Sequence, residues 1–289
     1  MRFMEEKAVS NNSAVSVKGL GVRLPGFELK DITMDIPKGV VVGLIGKNGA
    51  GKTTLIKALT DVYIPEAGTI MYDGISIHDN PVAVKEKLGI VYDTLYYPGM
   101  MKASKIAKII GKLYPDFDMD RWHMLMNKYG LDEKKKPVSY SKGMQMKFML
   151  TMVFARKAKV LILDEPTAGM DPSARRELVD AVQEYMLDED NTVIFSTHIT
   201  SDLDKIADYI ALVSDGELKL FEEKDKILEE YVLVQVACDA MTEELEKSLI
   251  GIKQNSFGYV GLVRDKDAVK ASDKIKISRA TVEDLIIYG

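Results

Sequence analysis

Gly46-Lys47-Asn48-Gly49-Ala50-Gly51-Lys52-Thr53-Thr54 is the stretch on which the fold turns. It fits G-x-x-x-x-G-K-[ST], the pattern of a phosphate-binding P-loop, and its flanks are those the pattern requires. The apolar run Val40-Val41-Val42-Gly43-Leu44-Ile45 precedes it as a strand, and Leu55-Ile56-Lys57-Ala58-Leu59 follows with helical periodicity. Three glycines leave backbone N–H groups free to turn inward on phosphate oxygens, and the helix that follows aims its positive end at the same charge. Gly46 through Thr54 are therefore the expected phosphate cradle, with Lys52 reaching the terminal phosphates and Thr53 offering a hydroxyl to Mg²⁺.

Working outward, two buried apolar runs end in polar residues. Val160-Leu161-Ile162-Leu163 leads into Asp164-Glu165, and Thr192-Val193-Ile194-Phe195-Ser196 leads into Thr197-His198. Continuous apolar strands separated by helices predict a parallel sheet covered on both faces, with ligands beyond the carboxyl ends of the strands. Asp164 is expected to hold Mg²⁺ through a bound water. Glu165 is the expected base for the attacking water, and His198 the partner that orients Glu165 and hydrogen-bonds the terminal phosphate.

The rest of the chain frames this core. Residues 1–13 read as a polar arm. Ala14–Lys18 and Phe27–Ile36 alternate as half-buried strands and predict an antiparallel β layer ahead of the P-loop strand. From about 98 to 145 the texture is helical, with Ile106, Ile109, Ile110 and Leu113 on one stripe and Trp122, Leu125, Met126 and Tyr129 on another. A second long helix, Gly143 to Lys157, carries Met144, Phe148, Met152 and Ala155. Lys134-Lys135-Lys136 reads as a solvated turn. Beyond Lys224 the pattern resets to strands at Tyr231–Ala237 and Tyr259–Val263 and helices at Met241–Leu249 and Thr281–Tyr288, the last with Thr281 and Asp284 placed as a cap pair. The expected division is thus an arm at 1–13, an ATPase domain at 14–225 and a small α/β appendage at 226–289.

The 289 residues carry a net charge of -5, which gives nucleic acid little to bind. No apolar run approaches the ~18 residues of a membrane span, and the polar N-terminus has no signal-peptide core, so residence in the cytoplasm is expected. Cys238, the one cysteine, is expected to be a small buried side chain beside Val236 and Ala237.

Ser141-Lys142-Gly143-Met144-Gln145, about 20 residues before Asp164, resembles the L-S-G-G-Q signature of ATP-binding cassette (ABC) proteins. With the P-loop, Leu161–Pro166, the loop Ala168-Gly169-Met170-Asp171-Pro172 and Ser196-Thr197-His198, the resemblance covers about 14–225 in the family's order. It implies a P-loop NTPase of the ABC ATPase fold, α/β, with an antiparallel β layer, a helical subdomain and here a small C-terminal α/β appendage. It further implies ATP and Mg²⁺ as ligands and a head-to-tail pair of cassettes, alike or related, in which Ser141, Gly143 and Asp171 approach the nucleotide held by the partner. Cargo would pass through a separate integral membrane permease, the chain lying peripherally on the inner face of the cell membrane.

Departures from the family pattern are informative. Asp93 stands where a Gln usually links metal to helical subdomain, and its carboxylate could still reach Mg²⁺ or its water. The adenine-stacking aromatic is missing near Leu24, with Phe27 the candidate substitute. Ser141-Lys142-Gly143-Met144, the acidic Asp93 and the small appendage look like the bacterial branch serving antibiotic and multidrug exporters, and Leu95-Tyr96-Tyr97-Pro98 is a candidate surface for the membrane subunit. A family ATPase acting on ribosomes or nucleic acid is the alternative, although such proteins carry two cassettes or a long coiled-coil insertion. A P-loop GTPase would need N-K-x-D, and Asn127-Lys128-Tyr129-Gly130 lacks the Asp.

Overall fold

A computed structural model describes residues 12–264 and 269–288. The chain opens with a long hairpin, β1 (Ser13–Leu24) and β2 (Phe27–Pro37), then enters β3 (Val41–Ile45), the P-loop and α1 (Lys52–Leu59). Next come β4 (Ala67–Tyr72), β5 (Ile75–Ser76), α2 (Pro81–Lys87) and β6 (Leu88–Val91). β2, β1, β4 and β5 form one antiparallel sheet in that order, the expected β layer. Its alternation places Val15, Val17, Ile32 and Ile36 inward with no exposed surface.

The helical region follows as α3 (Ala103–Ile110), α4 (Met119–Lys128), a 3₁₀ turn at Pro137–Ser139 and α5 (Lys142–Phe154). Then β7 (Val160–Asp164), α6 (Pro172–Tyr185), β8 (Thr192–Ser196), α7 (Thr200–Leu203), β9 (Tyr209–Ser214) and β10 (Glu217–Glu223) complete the central sheet. Its order is β10-β9-β3-β8-β7-β6. All neighbours are parallel except the β9–β10 pair, which is antiparallel. Every residue of β3, β7 and β8 is buried, as continuous apolar strands between two covering layers require.

The C-terminal region comprises α8 (Lys224–Glu230), β11 (Val232–Ala237), α9 (Glu243–Ser248), β12 (Ile250–Gln254), β13 (Gly258–Val263), β14 (Ile275–Arg279) and α10 (Val282–Tyr288). Its antiparallel sheet runs β12-β13-β11-β14 over a small core around Val234, Val236 and Val263. Leu262, Ala280, Val282 and Leu285 join the main core instead, so this sheet packs against the body of the molecule. Thr281 and Asp284 cap α10 reciprocally, with the Asp284 carboxylate accepting from the Thr281 N–H at 2.8 Å and the Thr281 hydroxyl from the Asp284 N–H at 3.2 Å.

Three expectations are corrected. Ile109 and Leu113 are 42% and 68% exposed: the inward face of α3 is Ala103, Ile106 and Ala107 with Ile110 packed against the core, a stripe that leaves Ile109 outside it, and Leu113 lies beyond the helix end at Ile110. Cys238 is exposed, because β11 ends at Ala237 and the chain turns outward there. The helix expected at Gly143 to Lys157 begins at Lys142 behind the Ser141 cap and ends at Phe154, Lys157 having a left-handed φ of 54°. The stripes of α4 and α5 are buried at Trp122, Leu125, Met126, Phe148 and Met152, and Lys134 to Lys136 are exposed. The expected arm lies, up to residue 11, outside the described residues.

Candidate functional site

Four parallel strands deliver their carboxyl ends to one edge of the central sheet. β3 ends at the P-loop, β6 two residues before Asp93, β7 at Asp164 and β8 at Ser196, with Asp164 and Ser196 directly paired across the sheet. A cavity of about 570 Å³ opens beyond that edge. It is lined by Lys47 through Thr54, by Asp93, Glu165, Ala168 and His198, and on one side by Leu24, Pro25 and Phe27.

The loop is built for an anion. Gly51 has a φ of 114°, in the left-handed region, and a Cβ there would meet Phe27 Cζ at 2.7 Å, so only glycine fits. α1 has no side-chain cap and no acidic residue in its first turn, which leaves its leading N–H groups and positive end unanswered by protein. Lys52, 6% exposed, bends back so that its ammonium donates to the Gly46 carbonyl at 2.8 Å and lies 3.6 Å from Glu165 Oε1.

Behind the loop the hard oxygen donors gather. Thr53 Oγ1 donates to Asp164 Oδ1 at 3.4 Å, and Ser196 Oγ donates to the same oxygen at 2.8 Å. Burial pushes the Asp164 carboxyl above its ordinary value, against the pull of the Ser196 and Thr53 hydroxyls. A cation beside Thr53 would offset that penalty. Thr53, Asp164 and the exposed Asp93 are thus oxygen ligands suited to a small divalent ion that draws its remaining ligands from water and phosphate. Among the described residues no three His, Cys, Asp or Glu side chains could cage a metal unaided, which agrees with that division of ligands.

Glu165 has a φ of 48°, a left-handed conformation that costs about 1–3 kcal/mol for a residue with a side chain. Its N–H is shared between the Ser196 carbonyl at 3.1 Å and Ser196 Oγ at 3.2 Å. Its Oε2 lies 2.7 Å from His198 Nδ1, and since an ionised carboxylate only accepts, the imidazole donates. The carboxylate therefore stands between a cation and an imidazole, facing the cavity and able to take a proton from water there.

The structure brings Lys52, Thr53, Asp93, Asp164, Glu165 and His198 together as expected. Ser141, Gly143 and Asp171 do not line this cavity. Ser141 is exposed and caps α5, accepting from the Met144 N–H at 3.3 Å, which leaves its O–H free to donate outward. Asp171 is exposed and caps α6, and the N–H groups of Ala174 and Ser173 hold its carboxyl below the ordinary range. Sequence reasoning missed Ser196 and Pro25 as site residues, while Leu24, beside which the adenine-stacking aromatic was expected, does line the cavity. Ser196 had a legible signal, since it ends the strand next to the one that ends at Asp164.

A family profile described as ABC transporter matches residues 29–168. The chain is 29% identical over 248 residues to the "ABC transporter ATP-binding protein YtrB" of Bacillus subtilis (strain 168), covering 84% of each chain. It is 31% identical over 201 residues to a methionine import ATP-binding protein, MetN, of Protochlamydia amoebophila (strain UWE25), covering 66% of this chain and 59% of that one. To the bacitracin transport ATP-binding protein BcrA of Enterococcus faecalis it is 29% identical over 189 residues, 65% of this chain and 61% of that one. Among solved structures, an ATP-binding subunit of an ABC transporter superposes with a TM-score of 0.69 at 25% identity, over 75% of this chain and 92% of that one.

Proposed function

The chain belongs to the ATP-binding proteins of ABC transporters, an ATPase family, and on that premise we propose that two cassettes close head to tail around two ATP molecules and drive transport through a separate membrane subunit. The observation that carries this reading is a divided site. Lys52, Thr53, Glu165 and His198 surround one cavity, whereas Ser141 heads α5 elsewhere with its O–H unspent. A site with its phosphate cradle on one face and its signature on another is completed by a second chain.

In this reading Lys52 and the N–H groups of residues 47–54 hold the phosphates of ATP. Glu165 takes a proton from water as the water oxygen bonds to the terminal phosphorus, and the bond to the ADP oxygen breaks. His198 fixes the Glu165 carboxylate. Mg²⁺, when bound, neutralises phosphate charge, and Thr53 with Asp164 and Asp93, directly or through water, are the residues that hold it. Phe27, packed over Gly51 beside Leu24 and Pro25, supplies apolar surface for the adenine.

We take 14–225 as the ATPase domain and 226–289 as the appendage. The membrane subunit docks near Leu95-Tyr96-Tyr97-Pro98, beside a groove of about 410 Å³ where Tyr92, Tyr114 and the buried Arg156 also line the wall. Tyr96 is 43% exposed there, its hydroxyl donating to the Ile90 carbonyl at 2.6 Å. No helix among the described residues is long and apolar enough to cross a membrane. The chain then sits on the inner face of the cell membrane, and nucleic acid has no part. Export is the direction read from Asp93, Ser141-Lys142-Gly143-Met144 and the appendage.

Complementation tests the divided site. K52A and S141R are each expected to be inactive in ATP hydrolysis. Mixed, they form pairs in which the P-loop of the S141R chain meets the signature of the K52A chain, and activity returns. A mixture no more active than either variant contradicts the proposal.

A further inference from the structure

Two loops meet at the site, and two ties join them. The first is the His198–Glu165 contact at 2.7 Å. The second lies deeper: Thr167, with no exposed surface, donates its hydroxyl to Asp202 Oδ2, also at 2.7 Å, and Asp202 is only 5% exposed. Thr167 follows Glu165 by two residues, and Asp202 follows His198 by four. We infer that Asp202 is a positioning residue for the ATPase site, pinning the loop after Glu165 to the helix after His198 and so holding the His198–Glu165 pair in register. The inference rests on the reading of Glu165 and His198 given above.

Three observations support it. Each loop is hydrogen-bonded within itself, which links a tie at one end to the residue at the other. The Ala168 N–H bonds to the Glu165 carbonyl and the Met170 N–H to the Thr167 carbonyl, both at 3.1 Å. On the facing side the Ile199 N–H bonds to Thr197 Oγ1 at 2.9 Å and the Asp202 N–H to the Ile199 carbonyl at 3.2 Å.

Next, Glu165 holds a left-handed φ of 48°, a conformation that persists only where its surroundings enforce it. Ser196 grips the N–H on one side of that residue, and Thr167 is the anchor on the other.

Finally, a carboxylate is a poor choice for filling space. A buried one is costly unless its oxygens are bonded, and an apolar side chain would pack there without that cost. Asp202 Oδ2 is committed to Thr167, while Oδ1 faces Arg175 Nε of α6 at 3.9 Å, beyond hydrogen-bond distance. That Nε is buried and bonded to no group among the described residues. The same carboxylate therefore borders the helix headed by Asp171, so the tie sits where the two loops and α6 converge.

The test uses the full chain with T167V and D202N, both near-isosteric, each alone and in an H198Q background. Single-turnover hydrolysis of radiolabelled ATP reads the slow rates. The chain holds three histidines, so the His198 imidazole signals are assigned by their loss in H198Q. Expected for T167V and D202N is a kcat lowered ~10- to 100-fold, the scale of a misplaced reacting group, with KM for ATP within ~2-fold. The ¹⁵N shift of His198 Nδ1 moves, and neither substitution slows H198Q further. Should D202N fail to fold, T167V, which changes no charge, carries the test alone. Parental kcat in T167V, an unmoved Nδ1 shift, or the same fractional loss in H198Q overturns the inference. H198Q hydrolysing at the parental rate overturns the site reading beneath it, a separate and distinguishable failure.

Discussion

At the scale of the residue, the site is a set of charges each answered by one specific neighbour. Lys52 is buried with its ammonium on the Gly46 carbonyl and near Glu165, so it is positioned before any phosphate arrives. Removing it in K52A takes away a charge-assisted contact worth about 1.5–3 kcal/mol, and ATP affinity measured by titration calorimetry is expected to fall ~10- to 100-fold. Ser196 is fully buried and joins the two acidic residues, its hydroxyl donating to the Asp164 carboxylate and accepting from the Glu165 backbone N–H. S196A should cost about 1–3 kcal/mol in a urea melt, because two buried groups lose a partner, and should lower kcat with it. The residues that act locally were legible in the sequence, since Gly46 to Thr54 form a contiguous pattern and Glu165 and His198 end apolar runs. Thr167 and Asp202 were not. They are 35 positions apart, and nothing in either neighbourhood marks a hydroxyl and a carboxylate as partners.

At the scale of the element, strands declared themselves where apolar residues run continuously, as in β3, β7 and β8, or alternate with polar ones, as in β1 and β2. β9 and β10 were missed, although Asp215-Gly216 between them, with φ of 50° and 78°, is a two-residue hairpin signal of the kind that favours such a turn. β12 is exposed along its whole length and offers no alternation to read. Helix stripes were half legible. α4 buries Trp122, Leu125 and Met126 as its spacing dictates, whereas in α3 the stripe runs through Ala103, Ile106, Ala107 and Ile110, leaving Ile109 off it and Leu113 past the helix end. Trp122, with no exposed surface, is the chain's one tryptophan, so its fluorescence reports on the helical region directly. Its emission is expected to be blue-shifted and to move red in a single step with unfolding. W122A is expected to destabilise by about 3–5 kcal/mol when followed by circular dichroism, the cost of emptying a large buried site.

At the scale of the whole molecule, the appendage and the divided site matter most. Leu262, Val282 and Leu285 belong to the main core and not to the small core around Val234, so the C-terminal sheet is expected to melt with the body. L262A should therefore lower the single calorimetric transition, by about 2–5 kcal/mol, and not split off a second one. The sequence marked where this region begins by a reset of periodicity, but could not show which of its faces the body covers. It likewise implied pairing only through the likeness of Ser141-Lys142-Gly143 to a family signature; in the structure Ser141 caps α5 and does not line the Lys52 cavity, which supports the proposed pairing. The most direct test is the mass of E165Q in solution with Mg²⁺ and ATP, by analytical ultracentrifugation, since a chain that binds but cannot hydrolyse should stay closed on its partner. The account predicts a species of about twice 32.2 kDa that reverts to the single chain when ATP is removed. E165Q that binds ATP yet sediments as one chain, alone and beside any companion cassette, would contradict it.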